Sequence, residues 1–421
     1  MFATKNDPPM YLVFLEYSFL ALLAVRGFTE QLPNLDLYFT TLLISPSTVA
    51  GFGLLAVGGI YLLALYLKSG FEINLAGVLL LSWTMGLGIW VLLASANFGV
   101  PGLTGIREWI RIFIIVLTFF VTYNIARRWN TRKLGRFLAI VIPVPLAAGY
   151  YQMLFQPDDR AYGMMVHPNP FALFLVAAIG LTLWLFTSSS GTEQYFWGLS
   201  SLLLIPPLIA TVSSNGWLMF LVVLGTFSVL FGLKEGNRRY FFGFVITLIL
   251  VIAVMVLIKP AVIGEIARLL ETRTPEQIIQ SDEHVNTLEG RIIIWTNLIG
   301  KWYQRPIVGY GLNTSQFIHP ITGLAPHNDY VRFLSTCGGL GLFWFVGFIV
   351  LVGWQGVNKY RKLTNRNHKS LGAVVLGLYL GWIIASAGDN VINVTTYQLL
   401  LWSMLATFFA LPVKDGGVEY E

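Results

Sequence analysis

Long apolar runs recur throughout this chain of 421 residues and constrain its fold more than any other feature. Most are close to 20 residues long, and an α-helix of roughly that length crosses a hydrocarbon core of ~30 Å. Only 11% of the residues are charged, whereas soluble domains carry roughly 25%. Because a helix satisfies its own backbone hydrogen bonds in lipid, the sequence predicts an all-α polytopic membrane protein.

Twelve membrane spans are expected along the chain. Their approximate bounds are residues 10–26, 46–67, 73–94, 108–127, 134–154, 169–187, 195–212, 216–233, 240–258, 331–353, 371–388 and 395–411. The chain then divides into spans one to nine (1–258), one large polar loop (259–330), spans ten to twelve (331–411) and a short polar tail (412–421).

The distribution of lysine and arginine predicts the orientation, because loops rich in these residues stay in the cytoplasm. Sixteen of the 27 lie at the termini or in one alternating set of loops, and eleven lie on the opposite side. Both termini are therefore expected in the cytoplasm and the large loop outside it. Eleven cations on the disfavoured side favour an anionic ligand there, such as a phosphate headgroup or pyrophosphate. The alternative is that they pair with acids of the same loop.

Loop topology also accounts for much of the net charge of +6, so no nucleic-acid partner is expected. The single cysteine, Cys337, excludes an intrachain disulfide and a cysteine metal cluster. Glu16 is an acid well inside a predicted span. Acids in such positions are functional or paired, but the sequence does not name a partner.

The large loop contains one predicted helix, at about residues 285–303. Spacings of three and four residues predict one apolar stripe on it, formed by Leu288, Ile292, Trp295, Ile299 and Trp302. Arg291 borders this stripe. Its planar fork of donors matches a pair of phosphate oxygens, which a lysine would bind only as a point charge. The alternative is a surface ion pair with Glu283 or Glu289.

His327 follows Pro326 at the start of the tenth span. If the helix begins near Asn328, its positive end and nearby arginines disfavour a protonated imidazole. A neutral imidazole is what a general base requires at pH 7. The alternative is an interfacial histidine that caps the helix.

Other segments on the same side carry further candidates. Arg160 is a second candidate phosphate ligand, although the preceding Asp158 and Asp159 could pair with it and are a weak metal signal. Asn215 lies just before the eighth span. Asp389 lies in the last outer loop, where it could hydrogen-bond a sugar or orient His327.

Taken together, these residues resemble the O-antigen ligase and polymerase superfamily of bacterial inner membranes. The residues that carry the resemblance are Arg160 with Pro168-Asn169-Pro170-Phe171-Ala172, Gly290-Arg291 with Trp295, Pro306-Ile307 with Gly309 and Gly311, and His327-Asn328-Asp329-Tyr330 with Gly338-Gly339-Leu340-Gly341.

The resemblance implies a fold like that of type C glycosyltransferases and an enzyme that completes lipopolysaccharide. Such enzymes move a glycan from undecaprenyl diphosphate to a lipid A–core sugar at the periplasmic face, with inversion and without metal or cofactor. Both substrates reach the site from the membrane lipids. It further implies that His327 is the catalytic base and that Arg291 and Arg160 hold the diphosphate.

Four further residues are expected to bind substrate: Asn215, Trp295, Asn328 and Asp389. Asn215 departs from the family pattern, because many members carry arginine at this place. Another outer cation must then substitute for it, or Asn215 donates a neutral hydrogen bond.

Two other functions remain open at the level of sequence. A polymerase would use a second carrier-linked glycan as the acceptor, and the motifs do not separate it from a ligase. A transporter of lipid-linked sugars is a different class. It would favour internal repeats and paired ionisable groups near the membrane midplane, whereas the candidates here lie at one surface.

Overall fold

The computed structural model describes residues 8–29, 37–39, 42–44, 46–68, 70–156, 160–165, 167–243, 245–246, 249, 288–318 and 325–413. Several expectations concern residues outside these ranges. They include most of the predicted ninth span, residues 259–287 of the large loop with three of the eleven outer cations (Lys259, Arg268 and Arg273), most of the tail, and Asp158 and Asp159.

The described residues include fifteen α-helices with defined bounds, a helical segment at residues 238–243, and one short hairpin. The helices are α1 (Met10–Phe28), α2 (Pro46–Lys68), α3 (Leu75–Phe98), α4 (Thr104–Ala126), α5 (Thr131–Ala139), α6 (Pro143–Phe155), α7 (Pro168–Ser188), α8 (Gly191–Leu203), α9 (Ile205–Ala210), α10 (Ser214–Phe227), α11 (Leu288–Trp302), α12 (Ser315–Ile318), α13 (Asp329–Lys362), α14 (Arg366–Ala385) and α15 (Thr395–Ala410). The antiparallel hairpin pairs β1 (Leu37–Phe39) with β2 (Leu42–Ile44). Short 3₁₀ turns cover Val100–Leu103 and Val391–Asn393, and a π turn, Ser228–Leu233, continues α10.

Eight helical stretches in the described part of the chain are long and apolar enough to cross a membrane. They are Pro46–Lys68, Leu75–Phe98, Pro101–Ala126, Thr131–Phe155, Pro168–Ser188, Ser214–Leu233, Asp329–Lys362 and Arg366–Ala385. The prediction of a polytopic helical membrane protein is therefore confirmed, while the number twelve stays a prediction. Helices α1 and α15 coincide with the first and last predicted spans, and the seventh is divided into α8 and α9 before Pro206-Pro207.

Helices α7 and α15 lie at the centre of the bundle. All residues of α15 are buried, and α7 is buried along most of its length. Helix α15 packs against α4, and α7 packs against α14 and α10. A helix that is apolar on all sides must be enclosed by other helices or lipid, and these two are enclosed by helices.

Ion pairs join the helix connections at one end of the bundle. Arg127 pairs with Glu72 at 3.0 Å, and Lys369 pairs with Glu235 at 2.7 Å. This end carries most of the lysines and arginines assigned above to the cytoplasm. The opposite end carries the connections with the candidate site residues. Which end faces the cytoplasm stays a prediction.

Glu16 has a partner in the structure that the sequence did not name. It forms an ion pair with Arg128 and accepts hydrogen bonds from the Trp129 indole at 2.9 Å and the Tyr61 hydroxyl at 3.2 Å. These bonds join α1 and α2 to the connection between α4 and α5. Since a buried charge is tolerated when it is paired and hydrogen-bonded, Glu16 has a structural role here.

Helix α13 is interrupted at Gly338, where φ is +69° and ψ is −175°. The interruption frees two backbone N–H groups for a turn from the large loop. Gly339 donates to the carbonyl of Pro306 at 2.7 Å, and Leu340 donates to that of Ile307 at 3.1 Å. The glycine motif of the tenth span and the Pro306 motif of the loop therefore form one junction.

Replacing Gly338 by alanine should lower the apparent melting temperature of the protein in detergent. An added Cβ would lie 2.2 Å from the Ile307 carbonyl oxygen, and the backbone is left-handed there. Strain of this kind costs about 1–3 kcal/mol, before the clash is counted. Gly347→Ala on the same helix is the matched control, because its Cβ meets nothing within 4 Å. Equal melting temperatures for the two variants would contradict the prediction.

Candidate active site

His327 has a left-handed backbone, with φ of +47°, which is uncommon for a residue other than glycine. Its two neighbours are held by hydrogen bonds. The Trp295 indole on α11 donates to the carbonyl of Pro326 at 2.6 Å. The N–H of Asn328 donates to the side chain of Asn390 at 3.2 Å. Strained backbone of this kind persists only where the surroundings hold it, so Trp295 and Asn390 position His327.

Asn328 is the N-cap of α13, as the position of the helix start in the sequence suggested. Its side-chain oxygen accepts the N–H of Val331 at 3.0 Å, and its amide nitrogen donates to the carbonyl of Ala387 at 2.9 Å. Both polar atoms of this side chain are thus engaged within the protein. The substrate contact expected for Asn328 stays a prediction that this geometry does not favour.

The imidazole of His327 is hydrogen-bonded to Asp389. Nδ1 lies 3.0 Å from Oδ1 of the carboxylate. The side chain of His327 is 29% exposed and that of Asp389 is 10% exposed, so the histidine faces the solvent side of the pair. When the carboxylate is ionised, it accepts a hydrogen bond from Nδ1–H, and the free lone pair of the neutral imidazole is then on Nε2. Of the two possibilities for Asp389, the structure places it where it orients His327.

Asp389 is kept ionised by its hydrogen bonds. Burial by itself raises the pKa of Asp389, but the hydrogen bond and charge of His327, the N–H of Asn390 and the amide of Asn169 lower it. The net effect is a pKa of Asp389 below its ordinary value. The carboxylate is therefore charged at neutral pH, and its hydrogen bond with the imidazole of His327 is charge-assisted.

Arg160 is linked to the same carboxylate through Asn169. Arg160 donates to the side-chain oxygen of Asn169 at 3.3 Å, and the amide nitrogen of Asn169 donates to Asp389 at 3.0 Å. Arg160 also donates to the carbonyls of Thr211 at 2.8 Å and Val212 at 3.3 Å. Within the described ranges its partners are thus neutral oxygens, so its positive charge is available to an anion.

Arg291 on α11 reaches the residue before Asp389. It donates to the carbonyl of Gly388 at 2.7 Å. The side chain of Asn215 lies against the same glycine, since a Cβ added to Gly388 would be 2.7 Å from the Asn215 oxygen. Arg291 Nε and Asn215 Nδ2 are buried and have no hydrogen-bond partner among the described residues. Buried donors of this kind call for an acceptor, such as a ligand oxygen.

The buried residues of α11 are not those of the apolar stripe predicted from the sequence. Ile294 and Leu298 are buried against α12, whereas Ile292 of the expected stripe is 48% exposed. Residues 292–295 are all apolar, so the spacing did not decide which side packs. Arg291 precedes Ile294 by three residues and therefore lies on the packed face of the helix.

Two of the eleven outer cations are paired with buried acids, although these are not the large-loop acids that the alternative named. Arg332 lies 3.4 Å from Glu108 and 3.1 Å from Asp329. Arg111 also pairs with Glu108, and both arginines donate to the side chain of Asn393. These charges neutralise each other, so Arg111 and Arg332 are not candidates for anion binding.

The structure therefore gathers Arg160, Asn215, Arg291, His327 and Asp389 from separate segments of the chain. Trp295 contacts the backbone before His327, and Asn328 caps α13. No role was predicted from the sequence for Asn169, which joins Arg160 to Asp389, or for Gly388. The signal for Asn169 was its place between two prolines. The residues that the structure describes contain no group of three or more potential metal ligands.

Comparison with known proteins identifies relatives of this chain. Residues 199–346 match the family described as O-Antigen ligase, a segment that contains Asn215, Arg291 and His327. A protein of Rickettsia conorii that is provisionally described as a polysaccharide ligase is 21% identical over 338 residues, which cover 74% of this chain and 75% of the relative. The resemblance seen in the sequence is confirmed: over residues 199–346 this chain is similar to the O-antigen ligases.

Proposed function

We propose that this protein transfers a glycan from undecaprenyl diphosphate to a hydroxyl of a lipid A–core sugar. The reaction would take place at the periplasmic face of a bacterial inner membrane, invert the anomeric centre and complete lipopolysaccharide. The observation that carries the proposal is the His327–Asp389 pair beside two arginines whose described partners are neutral oxygens. The similarity to O-antigen ligases supports the substrate class.

His327 is the proposed general base. Asp389 holds the proton on Nδ1, so Nε2 can take the proton of the acceptor hydroxyl as its oxygen attacks C1 of the glycan. The bond between C1 and the phosphate oxygen then breaks, and its electron pair leaves with the diphosphate. The imidazolium that forms is stabilised by the ionised Asp389.

Arg291 and Arg160 are proposed to bind the diphosphate and the charge that develops on it. Donors that are already in place cost no reorganisation during the reaction, and they act more strongly where water is excluded. Asn215 is proposed to add a neutral hydrogen bond, while Trp295 supports the backbone of His327. Any contact of Trp295 or Asn328 with the substrates belongs to the proposal as well.

The first test is a reconstituted reaction. Purified protein would receive a carrier-linked glycan and lipid A–core, and the products would be separated by size. Glycan attached to the core supports the ligase. Carrier-linked glycan of increased length supports the polymerase, in which a second carrier-linked glycan is the acceptor. A protein that yields neither product would contradict the proposal.

His327→Ala should lower the turnover of glycan transfer by roughly 10²–10⁴-fold, the usual contribution of a general base, and leave donor binding largely intact. Transfer by the wild type should also fall on acidification, as the base takes up a proton. Asp389 stays ionised over the mildly acidic range because its pKa is lowered. Single-turnover transfer across pH measures both effects.

His327→Gly is the control for folding, because glycine adopts the left-handed backbone without strain. It should melt no lower than His327→Ala and be equally inactive. Near-normal transfer by either folded variant would rule out His327 as the base.

Arg291→Lys should remain clearly impaired although the charge is kept, because lysine cannot reproduce a two-point grip on phosphate oxygens. Arg291→Ala should weaken donor binding further. Arg305→Lys is the matched control, since Arg305 donates to Asn97 at 2.7 Å, away from the site. Donor binding and single-turnover transfer would be measured for each. An Arg291→Lys protein with wild-type values would exclude the bidentate role.

The proposed reaction needs no divalent metal, as the resemblance implies. Transfer by the purified protein should therefore continue in excess chelator, with the wild-type rate as the expected result. A loss of transfer that is restored only by added magnesium or manganese would refute this part of the proposal.

A further inference from the structure

His167 lies at the site but has no role in the proposal so far. It is the N-cap of α7, and its Nδ1 accepts the backbone N–H of Asn169 at 3.3 Å. Asn169 is the residue that joins Arg160 to Asp389. His167 is partly covered by its neighbours but is exposed as a residue. It is therefore next to the residues of the site and open to a ligand.

The hydrogen bond to Asn169 fixes the form of the imidazole. Because Nδ1 accepts a hydrogen bond from the backbone N–H of Asn169, its lone pair is occupied and the ring proton is on Nε2. His167 is then neutral, and Nε2–H is a donor. Among the described residues Nε2 has no hydrogen-bond partner. As long as it caps α7, His167 cannot act as a base through either nitrogen.

The charges around His167 favour this neutral form. Burial lowers the pKa of His167, and the positive charge of Arg160 lowers it further. Asp389 acts in the opposite direction, while His327 and Arg291 add to the lowering. A neutral donor beside two arginines can contribute to the binding of an anion without adding repulsion between cations.

The site holds other donors that lack an acceptor. Arg291 Nε and Asn215 Nδ2 are buried without a hydrogen-bond partner in the described part of the protein. These two groups and Nε2–H of His167 can donate hydrogen bonds but cannot accept them. A group with several anionic oxygens satisfies such a set, whereas a sugar hydroxyl would also need acceptors.

We infer that His167 donates a hydrogen bond from Nε2 to an oxygen of the donor's diphosphate, so that it is a substrate-binding residue and not only a helix cap. The inference rests on the proposed function, because it takes the carrier diphosphate as the anion. It adds a neutral ligand from a third segment, the start of α7, to the arginines.

Two substitutions separate the two roles of the imidazole. The amide of asparagine occupies the place of Nδ1, so His167→Asn keeps a good N-cap but has no donor at Nε2. The amide of glutamine reaches the place of Nε2, so His167→Gln offers the donor and is a poorer cap. His368→Asn is the control, since His368 lies at the start of α14, at the other end of the bundle.

The experiment measures binding of farnesyl diphosphate to the purified full-length protein in detergent, with farnesol as the probe that lacks the diphosphate. His167→Asn should weaken binding of farnesyl diphosphate roughly tenfold or more, as expected for a lost hydrogen bond to a charged group, with its melting temperature kept. His167→Gln should bind within about threefold of wild type, even if it melts lower. His368→Asn and the farnesol signal should not change.

The inference would be overturned if His167→Asn bound farnesyl diphosphate with wild-type affinity. It would also be overturned if His167→Gln lost at least as much affinity as His167→Asn, and His167 would then be a helix cap only. A wild-type protein that binds no farnesyl diphosphate would also overturn it. Binding is measured without an acceptor or a glycan, so absence of transfer in the reconstituted reaction would contradict the proposed function without deciding this result.

Discussion

The start of α13 is fastened to the connection between α14 and α15, and the geometry of the site depends on this junction. The N–H of Asp329 donates to the carbonyl of Ser386 at 2.8 Å, and its carboxylate accepts the N–H of Ile392 at 3.0 Å. One partner in the junction carries His327 and the other carries Asp389. Because these bonds are buried, leaving one unmade is costly. The His327–Asp389 contact therefore follows from how two backbone segments are held together.

The arginines of this surface are of two kinds, those paired with acids and those that contact neutral oxygens. Arg332 and Arg111 are matched by the buried acids Glu108 and Asp329, so this network has no net charge to offer a ligand. Burying Arg332, Glu108 and Asp329 is tolerable because each charge is paired. Arg160, in contrast, contacts neutral oxygens among the described residues. Arginines with a structural role and an arginine proposed to bind a ligand thus lie on the same surface, and their hydrogen-bond and ion-pair partners distinguish them.

The sequence predicted a polytopic helical membrane protein, because the cost of placing each residue in lipid is local and shows in the apolar runs. It could not predict that a turn at Pro306 docks into the break at Gly338, since the two are separated in sequence and meet only by tertiary packing. The apolar stripe predicted on α11 did not identify its buried residues, because the apolar residues around Ile294 fit more than one helical stripe. In the site, sequence motifs pointed to His327. The hydrogen bonds by which Asn169 joins Arg160 to Asp389 could not be predicted, because they depend on how distant segments of the chain fold together.

Asn215 shows how the charge of the site is balanced. The resemblance to the O-antigen ligases implies arginine at this place in many members, whereas here a neutral amide lies against Gly388 and its nitrogen has no hydrogen-bond partner among the described residues. A third cation would strengthen the hold on the proposed diphosphate, but it would also add repulsion beside Arg160 and Arg291. A neutral donor can still form a hydrogen bond with an anionic oxygen and adds no such repulsion, so Asn215 fits the proposed binding of a diphosphate between the two arginines.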